Sequence, residues 1–180
     1  MSIGLKRGTV KLVPYDTNWA NHFQEKKKKL SRILARDNLI AIEHIGSTSI
    51  PGLLAKPLID ILLTVKDLQK AKEWIPALEK IGYHYKDEND PRRLFFTEGP
   101  EEIRIAYIHI AQQGSEYVDE ALAFRDYLLA NPGAVHEYEL LKIKLAKSYP
   151  KNRAEYTKSK EDFIQKVISA TKTGKNWGEL

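Results

Sequence analysis

Cysteine is absent from these 180 residues and methionine occurs once. Without cysteine there are no disulfide staples, no thiolate zinc sites and no cysteine nucleophile; this fits a reducing cytoplasm, where we expect the protein to reside. Long apolar runs are missing too. With 29% charged residues, no stretch approaches the ~20 apolar residues of a membrane span. No secretory-type apolar segment follows Met1. Proline-, glycine- or serine-rich linkers, repeats and low-complexity tracts are also lacking, so one domain over 1–180 is the expectation. Hydrophobic residues make up 42%, enough for a sizeable core and too many for wholesale disorder.

The net charge of +5 is unevenly placed. From Leu141 to Leu180 there are ten basic and four acidic residues, leaving 19 and 20 for the first 140. A basic end of this kind attracts phosphates or stands as a solvated lysine-rich surface. Lys26–Lys29 lies beside Phe23, Leu30, Ile33 and Leu34 at helical spacing and reads as a wet helix face.

The pattern predicts an α+β chain: an α/β core over about 10–112, a helical part over about 115–171 and a frayed tail over 172–180. Extended residues 10–14 lead into a helix over Thr17–Ala35, with Trp19, Phe23, Leu30 and Leu34 recurring near helical spacing. Strands are predicted over Ile40–Ile45 and Pro57–Val65, the second apolar enough to be central and covered on both faces. A helix capped by Asp67 and closed by Gly82 comes next. Further strands fall at Tyr83–Tyr85, Arg93–Thr97 and Ile103–Ile110. Helices then run Tyr117–Leu129, Ala134–Ser148 and Arg153–Ala170.

Polar residues in apolar settings carry the chemistry. Asp60 has Leu58 and Leu62 as same-face neighbours, so a buried carboxylate there needs a cation, a metal or donors nearby. His44-Ile45-Gly46-Ser47-Thr48-Ser49 takes a strand into a hydroxyl-rich turn suited to phosphate, without the Gly-Lys-Ser/Thr ending of a P-loop. Arg125, Lys142 and Lys160 each sit on the apolar stripe of a helix. Their shared target is an anion, or else Asp60 or Glu43.

The run Glu43 to Gly52 followed by Lys56-Pro57-Leu58-Ile59-Asp60-Ile61 resembles the signature of the GrpB family, within the polymerase-β-like nucleotidyltransferase superfamily. The likeness continues in Phe124-Arg125-Asp126-Tyr127-Leu128, Tyr138 with Leu141-Lys142, and Tyr156 with Lys160-Phe163-Ile164, spanning about Val10 to Ile168. It implies a nucleotidyltransferase-like mixed β-sheet with flanking helices and a C-terminal three-helix segment. It also implies a Gly-Ser pair, here Gly46-Ser47, separated by twelve residues from a metal-binding aspartate, here Asp60. Such enzymes hold Mg²⁺ or Mn²⁺ on carboxylates, seat a nucleoside triphosphate at the Gly-Ser turn and pass a nucleotidyl group to an acceptor hydroxyl. On this resemblance Asp60 is catalytic; Gly46, Ser47, Thr48, Ser49, Lys56, Arg125, Lys142 and Lys160 take phosphate.

Two departures stand out. Leu62 occupies the second acidic position, and Ile103–Ile110 supplies no third carboxylate. That strand tends to read His-x-His in the family and reads Tyr107-x-His109 here. Asp60, His109 and Glu43 form the metal set left to consider. His22, His84 and His136 show no ligand spacing. The readings rank as a metal-dependent nucleotidyltransferase, then a non-catalytic nucleotide- or phosphate-binding module, then an RNA-contacting protein using the basic helices. No RNA motif stands for the last, and neither acceptor nor oligomeric state is specified.

Overall fold

The structure, a computed structural model, describes residues 3–34, 36–88 and 90–179. Ala35, the expected end of the first helix, and the terminal residues Met1 and Leu180 lie outside them.

Strand β1 (Leu5–Lys6) precedes helix α1 (Asn18–Ile33), whose chain enters through Asp16, its Oδ1 accepting the Asn18 N–H at 2.9 Å. Strands β2 (Leu39–Ile45) and β3 (Ile59–Val65) flank a single turn at Ser47–Ser49. A turn at Lys70–Trp74 continues into α2 (Ile75–Lys80), and Asp67 caps it by accepting the Gln69 and Lys70 N–H groups. Then come β4 (Tyr83–Lys86), β5 (Arg93–Glu98), β6 (Ile103–Arg104) and β7 (Ala106–Gln112). The expected strand Ile103–Ile110 is therefore two: residue 105 breaks it, and β6 leaves to pair with β1.

The main sheet is mixed, in the order β2-β3-β7-β5-β4, with β3 and β7 parallel and the remaining pairs antiparallel. As the continuous apolar run predicts, β3 is central. Its face bearing Ile59, Ile61, Leu63 and Val65 is fully buried against Trp19 and Leu30 of α1, Trp74 of the turn before α2 and Leu78 of α2. The opposite face carries Asp60, Leu62 and Thr64.

Helices α3 (Glu116–Ala130), α4 (Pro132–Ser148), α5 (Arg153–Lys158) and α6 (Glu161–Thr173) close that second face. Val118, Tyr117, Ala121 and Leu122 of α3 cover Leu62, Ile45 and Ala111. Tyr127, Leu128, Tyr138 and Val167 clasp Ile50 and Leu53 of the loop before β3. The predicted helix Arg153–Ala170 is broken at Ser159-Lys160 into α5 and α6. The expected frayed tail is instead tied down. Gly174 turns the chain at φ +65°, the Tyr127 hydroxyl donates to the Lys175 carbonyl, and Trp177 packs on Phe163. Among the described residues no helix is long and apolar enough to cross a membrane.

Candidate phosphate-binding cleft

Between the second sheet face and helices α4–α6 lies a cleft of about 1260 Å³. Strand register lays out its floor as two rows. One runs Ile45, Asp60, Tyr107, Thr97 across β2, β3, β7 and β5; the next runs Glu43, Leu62, His109, Phe95. Paired residues share a face, so the polar positions Asp60, Tyr107, His109 and Thr97 open on one side.

Asp60 stands at the start of β3, its side chain 29% exposed. Gly46, with φ +72°, turns the chain directly over it: a Cβ there would overlap Asp60 Oδ2 and come within 3.0 Å of Asp60 Cβ and Cγ. Only glycine allows this approach. Burial alone would raise the Asp60 pKa, but the His109 ring N–H and the charges of Lys56 and Arg153 outweigh it and hold the carboxyl below its usual range. Ser47 and Tyr138 line the cleft together.

Four cationic groups arrive from separate elements. Lys56 comes from the loop before β3, Lys142 from α4, Arg153 from the start of α5 and Lys160 from the α5–α6 bend. Lys56 and Lys160 share the ring of Tyr156, at 5.4 and 4.8 Å; Lys142 lies 5.1 Å from the Tyr138 ring and Arg153 5.0 Å from that of Tyr107. Lys142 is 1% exposed and donates to the Leu54 carbonyl. Burial, reinforced by the charge of Lys160, lowers its pKa to about 7. Burial likewise lowers Lys160 to about 8, Asp60 opposing and Arg153 assisting. Lys56 is pushed well below its ordinary value by burial and by Arg153 and Lys160. Among the described residues the ion pairs lie elsewhere, such as Lys26–Glu98, Arg93–Glu88 and Arg125–Glu43, and none holds these four cations. Ammonium groups withdrawn from water are costly unless charge of the opposite sign stands near; the carboxylate that acts on Lys56 and Lys160 is Asp60, and Lys142 is the fully buried member of the group.

Other expected residues lie elsewhere or are already engaged. Arg125 binds Glu43 Oε2 at 2.8 Å, the His44 carbonyl at 3.2 Å and Asp126, and lines a separate shallow hollow with Glu43, Ser49 and Phe23. Its target is thus Glu43, outside the cleft. Thr48, 2% exposed, donates to the Leu58 carbonyl and contacts His44 Nε2 at 3.0 Å, so its hydroxyl braces the loop. Ser49 donates to the Gly46 carbonyl at 2.6 Å.

The metal set does not assemble. His109 Nδ1 meets the Tyr117 hydroxyl at 2.7 Å and the Arg93 guanidinium. Since a guanidinium only donates, Nδ1 accepts and Nε2 carries the proton towards Asp60 Oδ1, 3.7 Å away. A protonated ring nitrogen is no ligand. Glu43 lies two strands from His109, about 10 Å at ordinary strand spacing, with Leu62 between. Among the described residues no three of His, Cys, Asp and Glu group as an ion would require.

Sequence reasoning missed Arg153, Tyr138, Tyr156 and Thr97. Arg153 comes after a cap residue, Asn152, with no stripe to mark it, whereas the two tyrosines, which stand four before Lys142 and Lys160 on the same stripes and belong to the likeness, receive no site role of their own from the sequence. Thr97 is 4% exposed, and its hydroxyl is buried on the cleft wall with no hydrogen-bond partner among the described residues.

Comparison with known proteins finds relatives of this sequence and this fold. The family model described as GrpB protein matches residues 9–170. The UPF0157 protein YqkA of Bacillus subtilis is 35% identical over 169 residues, covering 93% of this chain but 48% of its own length, so the chain spans about half of that relative. The crystal structure of the conserved protein GrpB from Enterococcus faecalis matches with a TM-score of 0.82 and 36% identity, over 91% of this chain and 98% of that one. The Cid1 poly (U) polymerase bound to MgATP shares the fold at a TM-score of 0.50 and 14% identity, over 74% of this chain and 44% of its own.

Proposed function

The chain belongs to the GrpB family, and on that footing we propose that its cleft binds a nucleoside triphosphate on a nucleotidyltransferase-like fold. The observation that carries the reading is the gathering of Lys56, Lys142, Arg153 and Lys160 in the cleft that Gly46 and Ser47 also line, drawn from separate elements and without salt bridges among the described residues. Their combined charge exceeds that of Asp60, the floor carboxylate that acts on Lys56 and Lys160, and a polyphosphate tail supplies further negative charge. The nucleoside extends along the floor towards Tyr107, Phe95 and Tyr117, aromatic rings that line the same cleft, with the Thr97 hydroxyl beside them.

Thermal unfolding tests this reading. ATP at about a hundred times its Kd adds about 2.7 kcal/mol, or roughly 5–10 °C for a chain of this size. Lys142→Met and Lys160→Met should each remove most of that shift. No shift with any triphosphate at millimolar levels would overturn the reading.

Transfer of a nucleotidyl group to an acceptor hydroxyl is a second reading, favoured by Asp60 standing beside the Ser47 turn on this fold. Pyrophosphate released from a nucleoside triphosphate by the wild type and not by Asp60→Asn would establish it.

A further inference from the structure

We infer that the cleft takes its polyphosphate as the free, metal-less anion, and that Asp60 is the internal counter-ion with which that anion competes. The inference rests on the triphosphate-binding reading and deepens it by naming the ionic form of the ligand.

The donor set is too poor for a metal. A hard divalent cation needs several oxygen ligands, one or two of them carboxylates when phosphates and waters complete its shell, so a single carboxylate is the bare minimum. Among the described residues only Asp60 is offered on the floor. The neighbouring same-face position is Leu62, fully buried and sealed beneath α3 with Ile45, Ala111 and Val118. Glu43, next along that row, is held by Arg125. His109, in the same row on the other side, aims a proton at Asp60, and its Nδ1 cannot take that proton back while Arg93 donates to it.

The local charge also opposes one. An ion bound to Asp60 would stand among Lys56, Arg153 and Lys160, each of which already acts electrostatically on that carboxylate or is acted on by it. The cations that draw a polyanion in also repel a divalent ion, and the low dielectric of a half-closed cleft amplifies both effects. Mg²⁺ cancels two of a polyphosphate's negative charges before it arrives, so the metal complex satisfies the four cations less completely than the free anion does. The amines and guanidinium thus fill the charge-neutralising role that a metal would otherwise take.

Position gives Asp60 its own part. It lies on the cleft floor under Gly46, and Lys56 and Lys160 both sense its charge. Before an anion binds, this carboxylate helps hold those ammonium groups charged. When phosphate oxygens enter, the same carboxylate repels them. At a pH low enough for the ammonium groups to stay charged without it, removing its charge favours the ligand, whereas removing a metal-binding carboxylate would weaken it.

The experiment is calorimetric titration of inorganic tripolyphosphate into the full chain, once with EDTA and once with excess Mg²⁺, repeated on Asp60→Asn. The expected result is binding in EDTA, at least tenfold weaker binding with Mg²⁺, and Asp60→Asn binding at least as tightly as wild type in EDTA. Binding that requires Mg²⁺, or is strengthened by it, overturns the inference while leaving the triphosphate reading standing. Absence of binding under both conditions overturns both. The two wild-type titrations decide the metal question without any variant, so a poorly folded Asp60→Asn does not spare the inference.

Discussion

Lys142 shows how far a single residue constrains the chemistry. A lysine 1% exposed, with a carbonyl and an aromatic ring for company, has its pKa lowered to about 7 by burial first and by Lys160 second. Lys160 comes next at about 8. Only the protonated forms attract phosphate, so tripolyphosphate affinity should fall as pH rises from 6 to 9. Binding at pH 8 should draw protons from solution, seen as a dependence of calorimetric heat on the buffer's ionisation enthalpy. The stability of the ligand-free protein runs the other way. Below pH 7 the ammonium is charged in both folded and unfolded chains, and its burial penalty is felt in full. Between about 7 and the unfolded value the unfolded chain binds the extra proton, so stability rises with pH. The melting temperature without ligand should therefore climb from pH 6 to 9, and Lys142→Met should flatten the climb. Lys142 and Lys160 were legible because a cation on an apolar stripe is conspicuous. Arg125 gave the same signal yet serves Glu43, because spacing shows that a side chain points inward and not what meets it.

Strands and turns set what those residues can reach. β3 reads as a central strand from its apolar run alone, and it is one. The two-residue period puts Leu62 on the face of Asp60, but only the packing of α3 shows that position to be sealed. Leu62→Asp should therefore destabilise the fold by about 3 kcal/mol or more in urea unfolding, and should gain no Mn²⁺ affinity by paramagnetic resonance. Gly46 was legible as a turn residue; the contact with Asp60 that makes glycine obligatory was not. Gly46→Ala forces a side chain into φ +72° and against a carboxylate. We expect about 1–3 kcal/mol lost from strain and weakened tripolyphosphate binding in the same protein. Helix periodicity ran straight through Ser159 and Lys160, where the chain bends, because the pattern Tyr156, Lys160, Ile164 continues across the break.

In the whole molecule the basic C-terminal segment is divided between two roles. Lys142, Arg153 and Lys160 enter the cleft, while residues such as Lys144, Lys147 and Lys172 stay on the surface. A ligand held between the sheet and the helices should tie them together. Tripolyphosphate should slow amide hydrogen exchange in Arg153–Lys158 and in the loop 47–58, and leave α2 unchanged. If protection appeared on α1 or α2 and not on α5, the anion would have to bind elsewhere. Raising salt should weaken binding as the cluster is screened.

Element identity and the mixed α+β class come from residues near one another in the chain: apolar periodicity, capping aspartates, glycine and proline turns. The family likeness adds the Gly-Ser turn and the aspartate. Tertiary structure alone decided partnership at a distance: that Lys56 and Lys160 share one tyrosine, that Arg125 belongs to Glu43, and that His109 turns a proton and not a lone pair towards Asp60. The physical reason is that backbone preferences act over a few residues, whereas the charge state and ligand chemistry of a buried group depend on every group folded around it.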